Sequence, residues 1–364
     1  MSSANANKST SYSDISSHNV TFNLSLTSLV RPEAKDFILT LINDGIESQQ
    51  DVYLRCLLLP VLGLCGLVGN ALNMVILSHH GFAETTNIIL VSLSASDFFF
   101  SLSQILRRAR CAIQLFDVAA GVTAETLMQV YVIPFNTLML VVSICHVVFI
   151  SIERLFAVCF PFHVSRIYRK RRVKMAVLFL YVYPTVMGFP NLFRLTFEWV
   201  HEPKYNTTVA KAKFTQFLTD HFDTIIMYGT VVFNNMFTTL SLAFIFACSV
   251  AVIVRLFTNR IRHSDITLAL TSKPKELRVM KLLLTVCFVC LVVCVPSTVL
   301  DMYILYCNSI LDTSAMYHIG QSVNDILYQV NASVNFFIYV SISSKFAKTY
   351  KVLFCKRKEA KPTF

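Results

Sequence analysis

Asp97 is the only charged residue between positions 87 and 106 of this 364-residue chain, in a stretch that is otherwise strongly apolar. Asn70, Ser143, Asn331 and Asn335 interrupt three other apolar runs in the same way. Asn331 and Asn335 are four apart, so a helix places both on one face. A carboxylate at the centre of a bilayer costs roughly 3 kcal/mol or more unless a counter-ion, a proton or hydrogen-bond donors meet it. Oxygens converging from several helices suit a small hard cation or a water cluster. The same set also suits a plain hydrogen-bond network between packed helices. Both readings stand at this level.

Two further groups carry charge near the ends of apolar runs. Glu153-Arg154 closes the third run, and Glu276 lies twenty residues before Pro296 in the sixth. Alone, Glu153-Arg154 is a snorkelling interfacial pair. With Glu276 it becomes a releasable contact between two helices. Pro296 removes a backbone donor and leaves a carbonyl free, which makes a kink and a hinge. At the opposite ends stand Asp301 and Asp325, with Gln129, Asn136, Tyr303, Tyr328 and Gln329 at similar depth. Two acids beside tyrosines suit a cationic group such as an Arg in a short amidated peptide. The alternative is that Arg107, Arg108 or Arg110 neutralises these acids within the chain.

The elements that must position these residues are seven apolar runs, at 57–77, 87–106, 127–152, 175–193, 224–254, 282–300 and 326–343. Each is near the 18 residues or more that cross about 30 Å of hydrocarbon as a helix. In lipid every backbone polar group needs an internal partner, so the runs must be helical. Expected helices are 53–78, 86–107, 125–158, 173–193, 223–257, 275–305 and 319–341. The fold class is all-α: a seven-transmembrane helix bundle with an amphipathic eighth helix, 344–354, on the inner leaflet. In that last segment Phe346, Tyr350, Leu353 and Phe354 recur at helical spacing against Lys345, Lys348 and Lys351. Cys355 at its end is an acylation candidate or a free tail thiol. The organisation is an outer tail over 1–50 that reads as disordered, a transmembrane domain over 51–343, and the eighth helix with a short inner tail over 344–364.

Charge sets the orientation. The inner loops and tail hold 21 of the 32 Lys and Arg if the N-terminus is outside. This is the positive-inside bias, so the net charge of +11 is met by anionic lipid headgroups of the bilayer rather than by nucleic acid. No apolar leader precedes helix 1, which acts as its own insertion signal. Glycosylation sequons at Asn7, Asn19, Asn23 and Asn206 all fall on the outer side. Of eleven Cys, only Cys56, Cys111 and Cys307 sit near the outer surface; an odd number forbids full pairing, and Cys111 with Cys307 is a candidate bridge. No metal spacing, Ser/His/Asp set or HExxH motif marks an enzyme. A transporter would show inverted repeats or broken helices, and a channel a ring of pore charges.

Over residues 53–355 the chain resembles the rhodopsin-like (class A) G-protein-coupled receptors. The matching motifs are Gly69-Asn70 in helix 1, Leu93-Ser94-Ala95-Ser96-Asp97 in helix 2 and Glu153-Arg154-Leu155 ending helix 3. Pro296 in helix 6, Asn335-Phe336-Phe337-Ile338-Tyr339 in helix 7 and the short tail helix complete them. The resemblance implies a plasma-membrane receptor that couples an extracellular ligand to a heterotrimeric G protein. It implies no cofactor beyond an allosteric sodium ion, at Asp97, Ser143, Asn331 and Asn335. Arg154 matches the residue that meets the G protein after release from Glu153 and Glu276, and Tyr339 the tyrosine that swings inward.

The departures are specific. Gln129 stands where the family has the helix 3 cysteine, and the outer loop 198–222 has no cysteine to pair with it. Cys294 replaces the tryptophan two residues before Pro296. Helix 4 lacks its tryptophan and helix 5 its proline; Phe336 replaces the helix 7 proline, and Leu155 the tyrosine after Arg154. Asn136 stands where aminergic receptors have Asp, and Gln329 where opsins have the Schiff-base Lys, so neither chemistry is available. The runs His80-Gly81-Phe82 and Asn331-Ala332-Ser333-Val334-Asn335 resemble mollusc chemosensory or neuropeptide-type receptors. A short peptide is the expected ligand, with a small chemosensory molecule, a non-signalling decoy or a transporter as alternatives.

Overall fold

The computed structural model describes residues 52–160, 163, 167–264, 274–306 and 314–355. The outer tail with Asn7, Asn19 and Asn23, Cys307, and the side chains of Glu276, Asp301 and Cys355 lie outside the described residues.

The apolar runs form long helices. These are α1 (Tyr53–His79), α2 (Thr85–Arg107), α3 (Val118–Cys159) and α4 (Lys170–Gly188). A π-helical segment, Tyr228–Leu240, leads into α5 (Ser241–Ser264), followed by α6 (Pro274–Tyr306) and α7 (Ser314–Ile342). Six spans are each long and apolar enough to cross a membrane by themselves. The seventh, Ile319–Ile342, meets the same measure only together with Ser344–Phe354, which is bent from it by 100°. The cause is composition: α7 buries Ser322, Asn324, Gln329, Asn331, Ser333 and Asn335 against its neighbours, which lowers its apparent hydrophobicity. Such polar residues are paid for inside a bundle, not in lipid.

α3 is 42 residues long and begins at Val118, seven residues before the expected start. Asp117 explains the difference. Its side chain accepts a hydrogen bond from Ala120 N at 3.0 Å, a cap that fixes the first turn of the extension.

The core runs along the faces where α2, α3, α6 and α7 meet, with Leu93, Phe100, Val142, Ile150, Leu283 and Tyr339 fully buried. α4 is peripheral: only Val173 and Pro184 are buried, while Met175, Leu178, Phe179 and Val186 are exposed. Exposed large apolar residues on a helix of this length fit contact with lipid. α1, α2 and α7 approach most closely at Gly66. A Cβ there would stand 2.5–2.6 Å from Ser101 Oγ, Gln329 Nε2 and Ser333 Oγ, so any larger residue would force these side chains to shift.

The outer segment expected as a plain loop over 198–222 contains a β-hairpin. β1 (Leu195–Glu202) pairs antiparallel with β2 (Thr207–Phe214), in register from Leu195↔Phe214 to Glu202↔Thr207. Its turn needs a positive φ, which Asn206 supplies at 53°. Thr126 Oγ1 donates to Ala210 O at 2.9 Å and Ala210 N donates to Thr123 Oγ1 at 3.3 Å, so β2 is pinned to α3. Asn206 is exposed at the hairpin tip, which leaves its sequon open.

The tail turns sharply after Ser343, whose hydroxyl accepts from Phe346 N at 3.3 Å, and α8 (Ser344–Tyr350) follows. Phe346 is 1% exposed and rings with Phe336 and Tyr339.

Candidate functional site

Three polar sites lie along the bundle. At mid-depth, Asp97 is fully buried on α2. Ser143 Oγ on α3 donates to its Oδ1 at 2.5 Å, and Asn335 Nδ2 on α7 donates to its Oδ2 at 2.8 Å. Asn331 is buried one turn before Asn335. Asn70 on α1 ties in beside them, donating to Ala332 O at 2.8 Å and Gly66 O at 3.0 Å. Two neutral donors do not cancel a buried carboxylate charge, so the site fits a proton or a small cation held by Asp97, Ser143 and Asn335 oxygens.

At the C-terminal end of α3, Arg154 Nη2 pairs with Glu153 Oε1 at 2.8 Å. The same Nη2 donates to Thr86 Oγ1 at 3.4 Å, and Thr86 Oγ1 donates to Glu153 Oε1 at 3.2 Å. Thr86 at the start of α2 therefore closes a three-membered arrangement that sequence reading did not identify. Nearby, Tyr168 packs on Phe149 and Phe156, and burial together with the Glu153 carboxylate pushes its hydroxyl up to about 12. Tyr339, expected to act as an inward-swinging group, is buried with its hydroxyl unpartnered.

At the outer end, Asp325 on α7 is held by two arginines of α2 and its extension. Arg107 Nη1 reaches Oδ1 at 3.1 Å and Arg108 Nη2 reaches Oδ2 at 2.5 Å. Gln104 Nε2 adds a bond to Oδ1 at 3.3 Å. Arg107 Nη1 also donates to Asn136 Oδ1 at 3.1 Å, and Asn136 Nδ2 donates to Ser103 Oγ at 2.7 Å. Asn136 thus serves as a spacer between α2 and α3. Close by, Arg110 pairs with Glu125, and Arg55 Nε donates to Ser322 Oγ at 2.9 Å.

The sequence profile of the 7 transmembrane receptor (rhodopsin family) group matches residues 69–339. The chain belongs to the rhodopsin family of seven-transmembrane receptors. An FMRFamide receptor of Drosophila melanogaster is 21% identical over 87% of the chain and 56% of its own length. An FMRFamide peptide receptor of Caenorhabditis elegans is 27% identical over 43% of the chain and 39% of its own length. Melanopsin of Branchiostoma belcheri is 27% identical over 47% of the chain and 24% of its own length. The chain therefore aligns with about half, or less, of these curated relatives. The family is one of multi-pass membrane receptors and not of enzymes, as the sequence led us to expect.

In this receptor the expected ligand set does not converge. Asp325 was expected to offer its charge to a basic ligand group; two guanidiniums of the chain already hold it, which is the alternative reading. Gln329 is fully buried and bonds Ser101 Oγ at 3.0 Å and Ser333 Oγ at 2.8 Å, so it packs α7 against α1 and α2 instead of facing a cavity. Tyr328 is buried in the core and Tyr303 is exposed, while Gln129 is half-buried on α3. The candidate Cys111–Cys307 bridge is replaced by one between Cys56 and Cys111. Cys56 was in view, but only the fold of α1 beside the α2 extension brings its Cα within 5.5 Å of that of Cys111. Gln104, Ser103 and Thr86 gave no signal beyond being polar residues in apolar runs.

Proposed function

We propose that this receptor passes a signal from a short extracellular peptide to a heterotrimeric G protein on the inner face of the plasma membrane, with its N-terminus outside. The observation that carries the signalling part is Arg154, held at 2.8 Å by Glu153 and tied to Thr86 at the inner end of α3. A charge pair on one helix whose two members are both tied to Thr86 of the next is a two-state contact, and its release frees a cation for an incoming partner. The alignment to an FMRFamide receptor over 87% of the chain supports a peptide as ligand. The hairpin pinned to α3 supports the same reading: it offers Phe197 and the exposed Trp199 as an aromatic outer surface.

Asp97, Ser143 and Asn335, with Asn331 beside them, form in this reading a sodium site that favours the resting state. Glu276 on α6 is the further partner of Arg154, and Pro296 is the hinge that carries α6 away. Cys355 is an acylation site that anchors the tail to the inner leaflet.

The test is a G-protein activation assay on membranes from cells expressing the chain, first without agonist and then against a panel of short synthetic peptides. Activation by a peptide that Arg154→Ala abolishes, at matched surface expression, is the expected result. No activation by any peptide together with activation by small organic molecules would reassign the ligand class. No coupling under any condition would make the chain a decoy.

A further inference from the structure

We propose that Arg107 and Arg108 form the binding site for a carboxylate of the extracellular ligand, taken beside Asp325. This rests on the receptor reading above and names the chemistry its ligand must carry.

The charges in this desolvated place do not balance. Arg107, Arg108 and Asp325 form one connected group, with side chains 16%, 9% and 15% exposed. Two guanidiniums share one carboxylate, and the other bonded members, Gln104 and Asn136, are neutral. The group therefore carries one positive charge in excess among the described residues. Arg110 does not alter the count, because it pairs with Glu125. An uncompensated buried charge is strongly unfavourable, so a second anion is stabilised there.

The donors point the same way. A guanidinium offers five N–H groups in a planar fork suited to carboxylates. Arg108 uses Nη2 on Asp325, while its Nε is buried without a partner. Arg107 directs Nη1 to three acceptors, Gln104, Asn136 and Asp325, and keeps the more exposed side chain. A carboxylate arriving from outside thus meets Arg107, the more exposed of the two, beside an Arg108 that still has a donor to satisfy. Asp325 is the internal anion that already neutralises one of the two guanidinium charges. A cationic ligand group would instead have to displace two guanidiniums from Asp325.

Glutarate is the probe, with glutaramide as its neutral counterpart, both at equal ionic strength. The measurement is the thermal midpoint of the purified full chain. Glutarate should raise the midpoint in proportion to the logarithm of its concentration, and glutaramide should not. Arg107→Gln and Arg108→Gln should each weaken the apparent affinity for glutarate roughly tenfold or more, the loss of one charge-assisted contact. Asp325→Asn should strengthen it, because the competing anion is gone. That variant keeps the proposal testable if an arginine variant fails to fold. Absence of glutarate-specific stabilisation in the wild type, or equal stabilisation in all variants, overturns the proposal.

A second arm separates the ligand's chemistry from its class. Pairs of short peptides that differ only in Glu against Gln, or in a free against an amidated C-terminus, are tested for activation. Activation confined to carboxylate-bearing members supports both readings and locates the carboxylate. Glutarate binding with no active peptide keeps the anion site and removes the peptide. Active peptides that lack any carboxylate, with potency unchanged in Arg107→Gln, keep the peptide and remove the anion site.

Discussion

Cys56, in the first turns of α1, is disulfide-bonded to Cys111 in the helical turn Ala109–Ile113 that extends α2. The bridge closes a separation of 55 residues and holds the outer ends of α1 and α2 together, beside Arg107, Arg108 and Asp325. A bridge over a loop of this length generally contributes roughly 2–4 kcal/mol. Cys111→Ser should lower the thermal midpoint of the purified receptor, and Cys56→Ser should lower it equally, with the double variant no worse than either. Cys307→Ser should leave the midpoint unchanged. Peptide mapping under non-reducing conditions should recover Cys56 linked to Cys111.

Asp97 meets two neutral donors at mid-depth, so in the proposed sodium site its charge state and ion binding are linked. Replacing choline chloride with sodium chloride should raise the thermal midpoint of the wild type, by about 2–4 °C for each kcal/mol of binding. Asp97→Asn should remove the sodium dependence while keeping the fold, because an amide still bonds the same neighbours. A midpoint that responds to sodium alike in both proteins would leave the cluster as helix packing.

Arg154 is balanced between Glu153 and Thr86, and each partner biases the resting arrangement. Thr86→Ala and Glu276→Ala should both raise agonist-free signalling, the first by loosening Arg154 from α2 and the second by removing its proposed partner on α6. Losing one charge-assisted contact shifts such an equilibrium roughly tenfold. Unchanged agonist-free signalling in both variants, at matched surface expression, would reduce Arg154 to an interfacial charge.

Tyr339 is fully packed, yet its hydroxyl makes no hydrogen bond here. Removing an unsatisfied buried hydroxyl costs the present arrangement nothing. Tyr339→Phe should therefore keep the thermal midpoint and still reduce signalling, because the hydroxyl serves only the arrangement with α6 moved. A variant with wild-type signalling would make Tyr339 a core ring only.

His80 follows α1 and joins the tail: its Nε2 lies 2.9 Å from Thr349 Oγ1, and its ring packs edge-on against Phe346. Burial, then Lys345 and His79, lower its pKa below the usual 6.5. The docked tail thus favours the neutral ring. Above 6.5 the ring is neutral whether docked or free, and docking is at full strength. As pH falls through 6.5 the free ring takes up a proton first, so docking weakens until the docked ring protonates too. Hydrogen exchange over 344–350 should quicken as pH falls from 7.5 to 5.5, after correction for intrinsic rates. His80→Gln should abolish that dependence.

The sequence by itself determined the bundle. Lipid leaves no alternative to helices for long uncharged runs, so seven spans and their order follow from composition. It also determined the Asp97 cluster, because a carboxylate in hydrocarbon must be met by the few polar residues at its depth. The residues of α7 that lower its hydropathy, among them Gln329 and Asn335, face neighbours for the same reason. Only the tertiary structure decided pairings. Asp325 had two classes of partner, a ligand cation or an arginine of α2, and spacing along a chain does not say which helix lies beside which. The rotation of α2 and its extension brought Arg107 and Arg108 to Asp325, and Cys111 to Cys56 instead of Cys307. The hairpin was hidden because its two eight-residue strands are half-exposed, and Val209, Ala210 and Ala212 become buried only once β2 lies on α3. Long-range neighbours are fixed by packing, which no local period encodes.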